Sequence, residues 1–96
     1  MHTTNVDYIY TYRYILESLK KNDLNVAKAI NDLNQVELDE HHKDDLKVNN
    51  EKDLAFKAYD CLQHLSDVRK KAINVEFESE VKIIDELVQK HIFNTD

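Results

Sequence analysis

The densest group of potential metal ligands is His41-His42 with Asp39, Glu40, Asp44 and Asp45 around it. Histidine and carboxylate together suit zinc, nickel or copper. Adjacent residues on a helix, however, point about 100° apart, and a segment this polar is a solvated one by default. Metal binding at the His41-His42 region is the remote alternative. Cys61 and His64 lie three apart, and Asp60 and His64 four apart, so either pair could offer two ligands on one helical face. A structural zinc site needs four ligands, with more cysteine than a chain holding one can supply. Cys61 also falls on an apolar stripe in acidic surroundings, whereas a nucleophilic thiol needs a base and an electropositive setting. A di-iron bundle requires Glu-x-x-His pairs, and the chain contains none. A phosphotransfer histidine needs a nearby lysine and a glycine that clears space, which His64 lacks; His91 reads as a helix-end residue beside the C-terminal dipole. The expectation is no enzyme, no cofactor and no metal.

The residues better suited to function are Tyr10 and Tyr14. On a helix they are neighbours one turn apart, turned away from the stripe Ile9, Tyr12, Leu16 and Leu19. Four tyrosines between positions 8 and 14 exceed what one face of a small bundle needs. Tyrosine is favoured at protein interfaces because it offers contact area and a polar tip at little entropic cost. The alternative is ordinary packing on both sides of the first helix. Asp39, Glu40, Asp44 and Asp45 join Tyr10 and Tyr14 as the candidate partner-binding residues, an acidic face able to cover a basic one.

The elements that position these residues are helices. The chain has 96 residues, one domain's worth, with no glycine and no proline. Tight hairpins depend on glycine, and so do phosphate loops and dinucleotide fingerprints; long helices joined by short polar loops need neither residue. The spacing predicts a first helix over Asn5–Lys20, with Thr4 and Asp7 as a capping box. Tyr8, Tyr10, Tyr12 and Tyr14 alternate as in a strand, but the pattern decays at once into Ile15-Leu16-Glu17-Ser18-Leu19. Asp23 is the expected cap of a second helix carrying Val26, Ala27, Ile30 and Leu33. The polar stretch 38–50 reads either as a loop or as a solvated continuation, tacked to the core by Leu46 and Val48. A third helix starts near Asn50 and Asp53, and Leu54, Ala58, Cys61, Leu65, Val68 and Ala72 form one unbroken stripe at spacings of four and three. Asn74 is the expected break before a fourth helix with Phe77, Val81, Ile84, Val88 and His91. Acid-before-base pairs four apart, such as Glu17–Lys21 and Glu78–Lys82, agree with helix throughout. The fold class is all-α, a small antiparallel bundle of three to four helices.

Net charge is −6, which disfavours nucleic acid and anionic membrane surfaces. No apolar run approaches the roughly 20 residues that span a bilayer, the N-terminus shows no secretory signal, and a single cysteine is consistent with a reducing compartment. The expectation is cytoplasmic. Leu19 to Leu33 resembles the second half of a ubiquitin-associated domain through Asn22-Asp23, Ala27, Ala29-Ile30 and Leu33, over about fifteen residues. The glycine-bearing loop that such domains use is missing. The same stretch could open a helix-turn-helix, but the helix for the groove would carry Glu37, Asp39, Glu40, Asp44 and Asp45, which phosphates repel. Both likenesses are treated as coincidences of helix–turn–helix sequence. The functional expectation is a small acidic module that binds another protein with a basic surface, to inhibit, neutralise or regulate it, as immunity proteins and antitoxins do. The alternative is a self-associating assembly factor, a homodimer through the first or last helix.

Overall fold

A computed structural model describes residues 5–35 and 48–94. These form five α-helices and no strand: α1 (Asn5–Lys21), α2 (Val26–Gln35), α3 (Glu51–Gln63), α4 (Asp67–Glu76) and α5 (Glu78–Val88), followed by a π-helical turn, Gln89–Phe93. The all-helical expectation holds, but the described residues contain five helices where three or four were expected. Among the described residues no helix is long and apolar enough to cross a membrane. Thr4, and the cap assigned to it, lies outside the described residues, as does Leu46.

Helix α1 lies at the centre, packed against α2, α3 and α5. Its buried apolar face is Tyr12, Ile15, Leu16 and Leu19; of the expected stripe Ile9 is only half-buried at the rim of the core, and Ile15 takes a buried place that the stripe did not include. Without glycine, α1 must end on other residues. The Leu24 amide donates to the Leu19 carbonyl over 2.7 Å and the Asp23 amide to Lys20 over 3.3 Å, the paired bonds of a Schellman cap. Asp23 and Leu24 take left-handed φ values of 54° and 65° to make it. Asp23 is therefore part of the stop of α1 and not the cap of α2. That cap is Asn25, whose Oδ1 accepts from the Lys28 amide at 3.0 Å. The left-handed region costs a side-chain-bearing residue about 1–2 kcal/mol, less for aspartate. Asp23→Gly should accordingly stabilise the fold by about 0.5–1 kcal/mol, after the extra entropy of an unfolded glycine is set against it. Urea unfolding reads this as a raised midpoint at constant slope.

The chain re-enters the described fold at Val48, which Asn34 holds on both sides. The Val48 amide donates to Asn34 Oδ1 at 2.9 Å, and Asn34 Nδ2 donates to the Val48 carbonyl at 2.6 Å. Asn50 then caps α3, accepting from the Asp53 amide at 2.9 Å. Leu54, Ala58, Cys61 and Leu65 are buried as expected, but the stripe does not continue. Ser66 caps a new helix, its hydroxyl accepting from the Arg69 amide at 3.3 Å, and α4 leaves in another direction. Val68 is 78% and Val75 83% exposed, and Ala72 is exposed as well. Only Ile73 of α4 is buried.

Asn74 sits inside α4, so the expected break is displaced to Phe77. This residue, at φ −126° and ψ 53°, closes α4 and opens α5. The Phe77 amide still donates to Ile73 (2.8 Å), and its carbonyl accepts from Val81 (2.9 Å). The two helices are thus one hydrogen-bonded path bent where a phenylalanine turns into the core.

Candidate interaction surface

Tyr10 and Tyr14 do meet. Their rings lie 5.8 Å apart at 56°, and both side chains are half-buried. Tyr14 packs against the core and lines a groove of about 530 Å³ with Glu17, Lys20, Lys21, Asp32, Glu76 and Phe77. The charges around this groove largely answer one another. Arg13 grips Glu76 with two hydrogen bonds, at 2.5 and 2.8 Å, and reaches Glu17 at 3.9 Å. Lys21 lies 3.5 Å from Asp32. The hydrogen bonds from Arg13 hold the Glu76 carboxyl below its ordinary range and push the guanidinium up. Arg13 and Lys20 stand 5.3 and 5.8 Å from the centre of the Phe77 ring. The tyrosine side of α1 therefore doubles as the clamp on the α4–α5 bend.

Asp39, Glu40, His41, His42, Asp44 and Asp45 lie outside the described residues. Among the described residues no group of three histidine, cysteine or acidic side chains is placed to hold a metal. Cys61 is buried. His64 is exposed and stacked on Tyr8, with ring centres 4.0 Å apart, and its Nδ1 lies 2.9 Å from the Asp60 carbonyl oxygen. The Cys61–His64 spacing thus brings together no pair of ligands. His91 falls in the π-helical turn, with Nε2 3.6 Å from the Glu51 carboxylate.

Sequence reasoning missed a second aromatic surface. Phe56 is 47% and Phe93 57% exposed. Tyr59 bridges them: it follows Phe56 by one helical turn on α3, and Phe93 meets its ring edge-on at 5.5 Å. Lys52 Nζ stands 6.0 Å from the Phe56 ring centre. An open depression of about 350 Å³ beside Phe56 is lined by Asp53, Lys57 and Asp60. Another, of about 580 Å³ beside Phe93, is lined by Asp85, Glu86, Gln89, Lys90 and Asn94. Burial pushes the Asp85 carboxyl up, and it makes no ion pair among the described residues. A signal for this surface existed. Lys52, Phe56, Tyr59 and Gln63 recur at spacings of four, three and four, a second stripe on α3 beside the buried one. The π-helical turn that brings Phe93 onto it has no such signature, although π-turns are often found at functional sites.

No protein-family model matches the chain, and no curated protein or solved structure resembles it significantly, so the surface must be interpreted from its own chemistry.

Proposed function

We propose that this chain is a protein-binding module that inhibits, neutralises or regulates its partner by covering part of the partner's surface. The observation that carries this reading is the aromatic surface of Phe56, Tyr59 and Phe93, with two large rings left about half in water on a small acidic domain. Interfaces draw most of their affinity from a few aromatic anchors near their centre. Asp53, Asp60, Asp85 and Glu86 outnumber Lys52, Lys57 and Lys90 around the rings, a slight acidic excess that favours a partner with a basic rim. Asp85 supports this most directly, because a partly desolvated carboxylate without a counterion gains most from an incoming lysine or arginine. Tyr10 and Tyr14 form a second aromatic surface in the same reading, and Asp39, Glu40, Asp44 and Asp45 add to the acidic character. No catalytic step is assigned to any residue.

The test is the double variant Phe56→Ser/Phe93→Ser. Both residues are exposed, so the fold should survive, with unchanged circular dichroism. Partner retention in quantitative pull-downs should fall at least about tenfold. Retention by the unmodified protein should also weaken between low and moderate salt, as rim charges are screened. Equal retention by the variant and the unmodified protein would refute the assignment.

A further inference from the structure

Helix α4 is weakly anchored. Eight of its ten residues are exposed, Lys70 is half-buried, and Ile73 alone is buried. Its main packing partner is α5, the helix that follows it across the Phe77 bend. Val68, Ala72 and Val75 lie in water and add nothing to its docking. The residues that bracket the helix are held more firmly, Leu65 at 6% and Phe77 at 2% exposure. Local sequence does not compensate. Ten residues are fewer than the roughly 12–15 that an isolated helix needs. Val68, Ile73 and Val75 are β-branched, which lowers helix propensity. The last turn carries no basic side chain to answer the helix dipole.

We infer that α4 is a strap that opens and recloses as a unit while the rest of the domain stays folded, tethered at Leu65 and Phe77 and latched by Ile73 and the Arg13–Glu76 pair. Burying one isoleucine favours the closed strap on the order of tenfold to a hundredfold. An exposed ion pair adds little to that, and here it ties the last residue of α4 to α1. A whole domain prefers its folded state by about 10⁴-fold or more. Opening of the strap is therefore far more frequent than unfolding of the core. Its consequence falls on the groove that Tyr14 lines. Glu76 forms part of that groove's wall and neutralises Arg13. When α4 opens, the groove loses this carboxylate and becomes wider and more basic. This inference is independent of the partner surface at Phe56, Tyr59 and Phe93.

Amide hydrogen exchange of the full chain, followed residue by residue at rising sub-denaturing urea, tests it. Amides at 71–76 should be at least about tenfold less protected than those at 12–19 in α1 and 55–62 in α3. Their exchange should also depend less steeply on urea, because a local opening exposes less surface than global unfolding. A Leu33→Val variant supplies the second arm. Leu33 is buried on α2, which packs on α1 and α3. Losing a methylene there should speed exchange in α1 and α3 about threefold to tenfold. Exchange at 71–76 should stay within about twofold, since Leu33 remains buried when only α4 opens. Equal protection of α4 and the core, or an equal response of both to Leu33→Val, overturns the inference. Joint loss of protection at 71–76 and 81–88 overturns it as well, because the opening unit would then not end at Phe77.

Discussion

Phe77→Ala lowers the free energy of unfolding by about 3–5 kcal/mol, the cost of emptying a buried aromatic site. Phe77 is 2% exposed and stands where the backbone path of α4 turns into α5. Its ring is also the platform for Arg13 and Lys20, each such contact worth about 0.5–1 kcal/mol at a partly exposed site. Alanine removes the ring that anchors the bend, and nothing then requires the chain to turn inward there. Phe77→Leu keeps most of the buried volume and loses the cation contacts, so it should cost less than half as much. Domains of this kind are stable by only about 5–15 kcal/mol, so the alanine variant should show a large fall in its urea midpoint and early loss of protection in α4 and α5. A loss under 1 kcal/mol would contradict the description of Phe77 as the pivot of the fold.

Tyr12→Phe acts in the opposite direction, stabilising the protein by about 1–3 kcal/mol, the penalty for a buried hydroxyl without a partner. Tyr12 is 1% exposed in the core, and its hydroxyl oxygen makes no hydrogen bond among the described residues. Burial, then the nearby Asp85 and Cys61, push its phenol well above the ordinary value of 10.0. The pH dependence follows from that direction. Below pH 10 the phenol is protonated in both states and pH has no effect through it. Above pH 10 the unfolded phenol ionises and the folded one does not, so stability falls by about 1.4 kcal/mol per pH unit from this group. The phenylalanine variant should lack that increment between pH 10 and 12 and exceed the unmodified protein by a margin that widens with pH. Urea titrations at pH 8 and pH 11 measure both effects. A less stable variant at pH 8 would mean that the hydroxyl is satisfied.

The core of α1 was legible because Tyr12, Leu16 and Leu19 repeat at helical spacing, while the competing strand-like alternation of Tyr8, Tyr10, Tyr12 and Tyr14 ends at Ile15. The start of α3 was legible because Asn50 and Asp53 are the right residue types at the right offset for a cap. The third stripe misled for a specific reason. Val68 and Ala72 stay in phase with Leu54, Ala58 and Cys61, so periodicity alone runs straight through Ser66, whose hydroxyl starts a helix on a new axis. Asn74 looked like a break because asparagine tolerates left-handed backbone, but the bend is decided by the burial of Phe77, a tertiary event with no local signature. Asp23 showed the converse, a residue with cap chemistry enlisted to stop α1 because no glycine exists to do so. Tyr10 and Tyr14 were correctly paired on one face, yet both are half-buried and Tyr14 lines the groove with Glu76, so they leave less ring surface open than Phe56 and Phe93. The exposure of those two depends on how the π-helical turn lays Phe93 against Tyr59, which spacing cannot show.

The central claim is that the Phe56–Tyr59–Phe93 surface is where a partner protein sits. The most direct measurement places a photo-crosslinking phenylalanine analogue singly at position 56 or 93, in cells that produce the protein, with position 28 on the exposed side of α2 as the control. Discrete adducts of one identical mass from positions 56 and 93, absent from position 28, are the expected result. No adduct at either position, or the same adducts from all three, would contradict the claim.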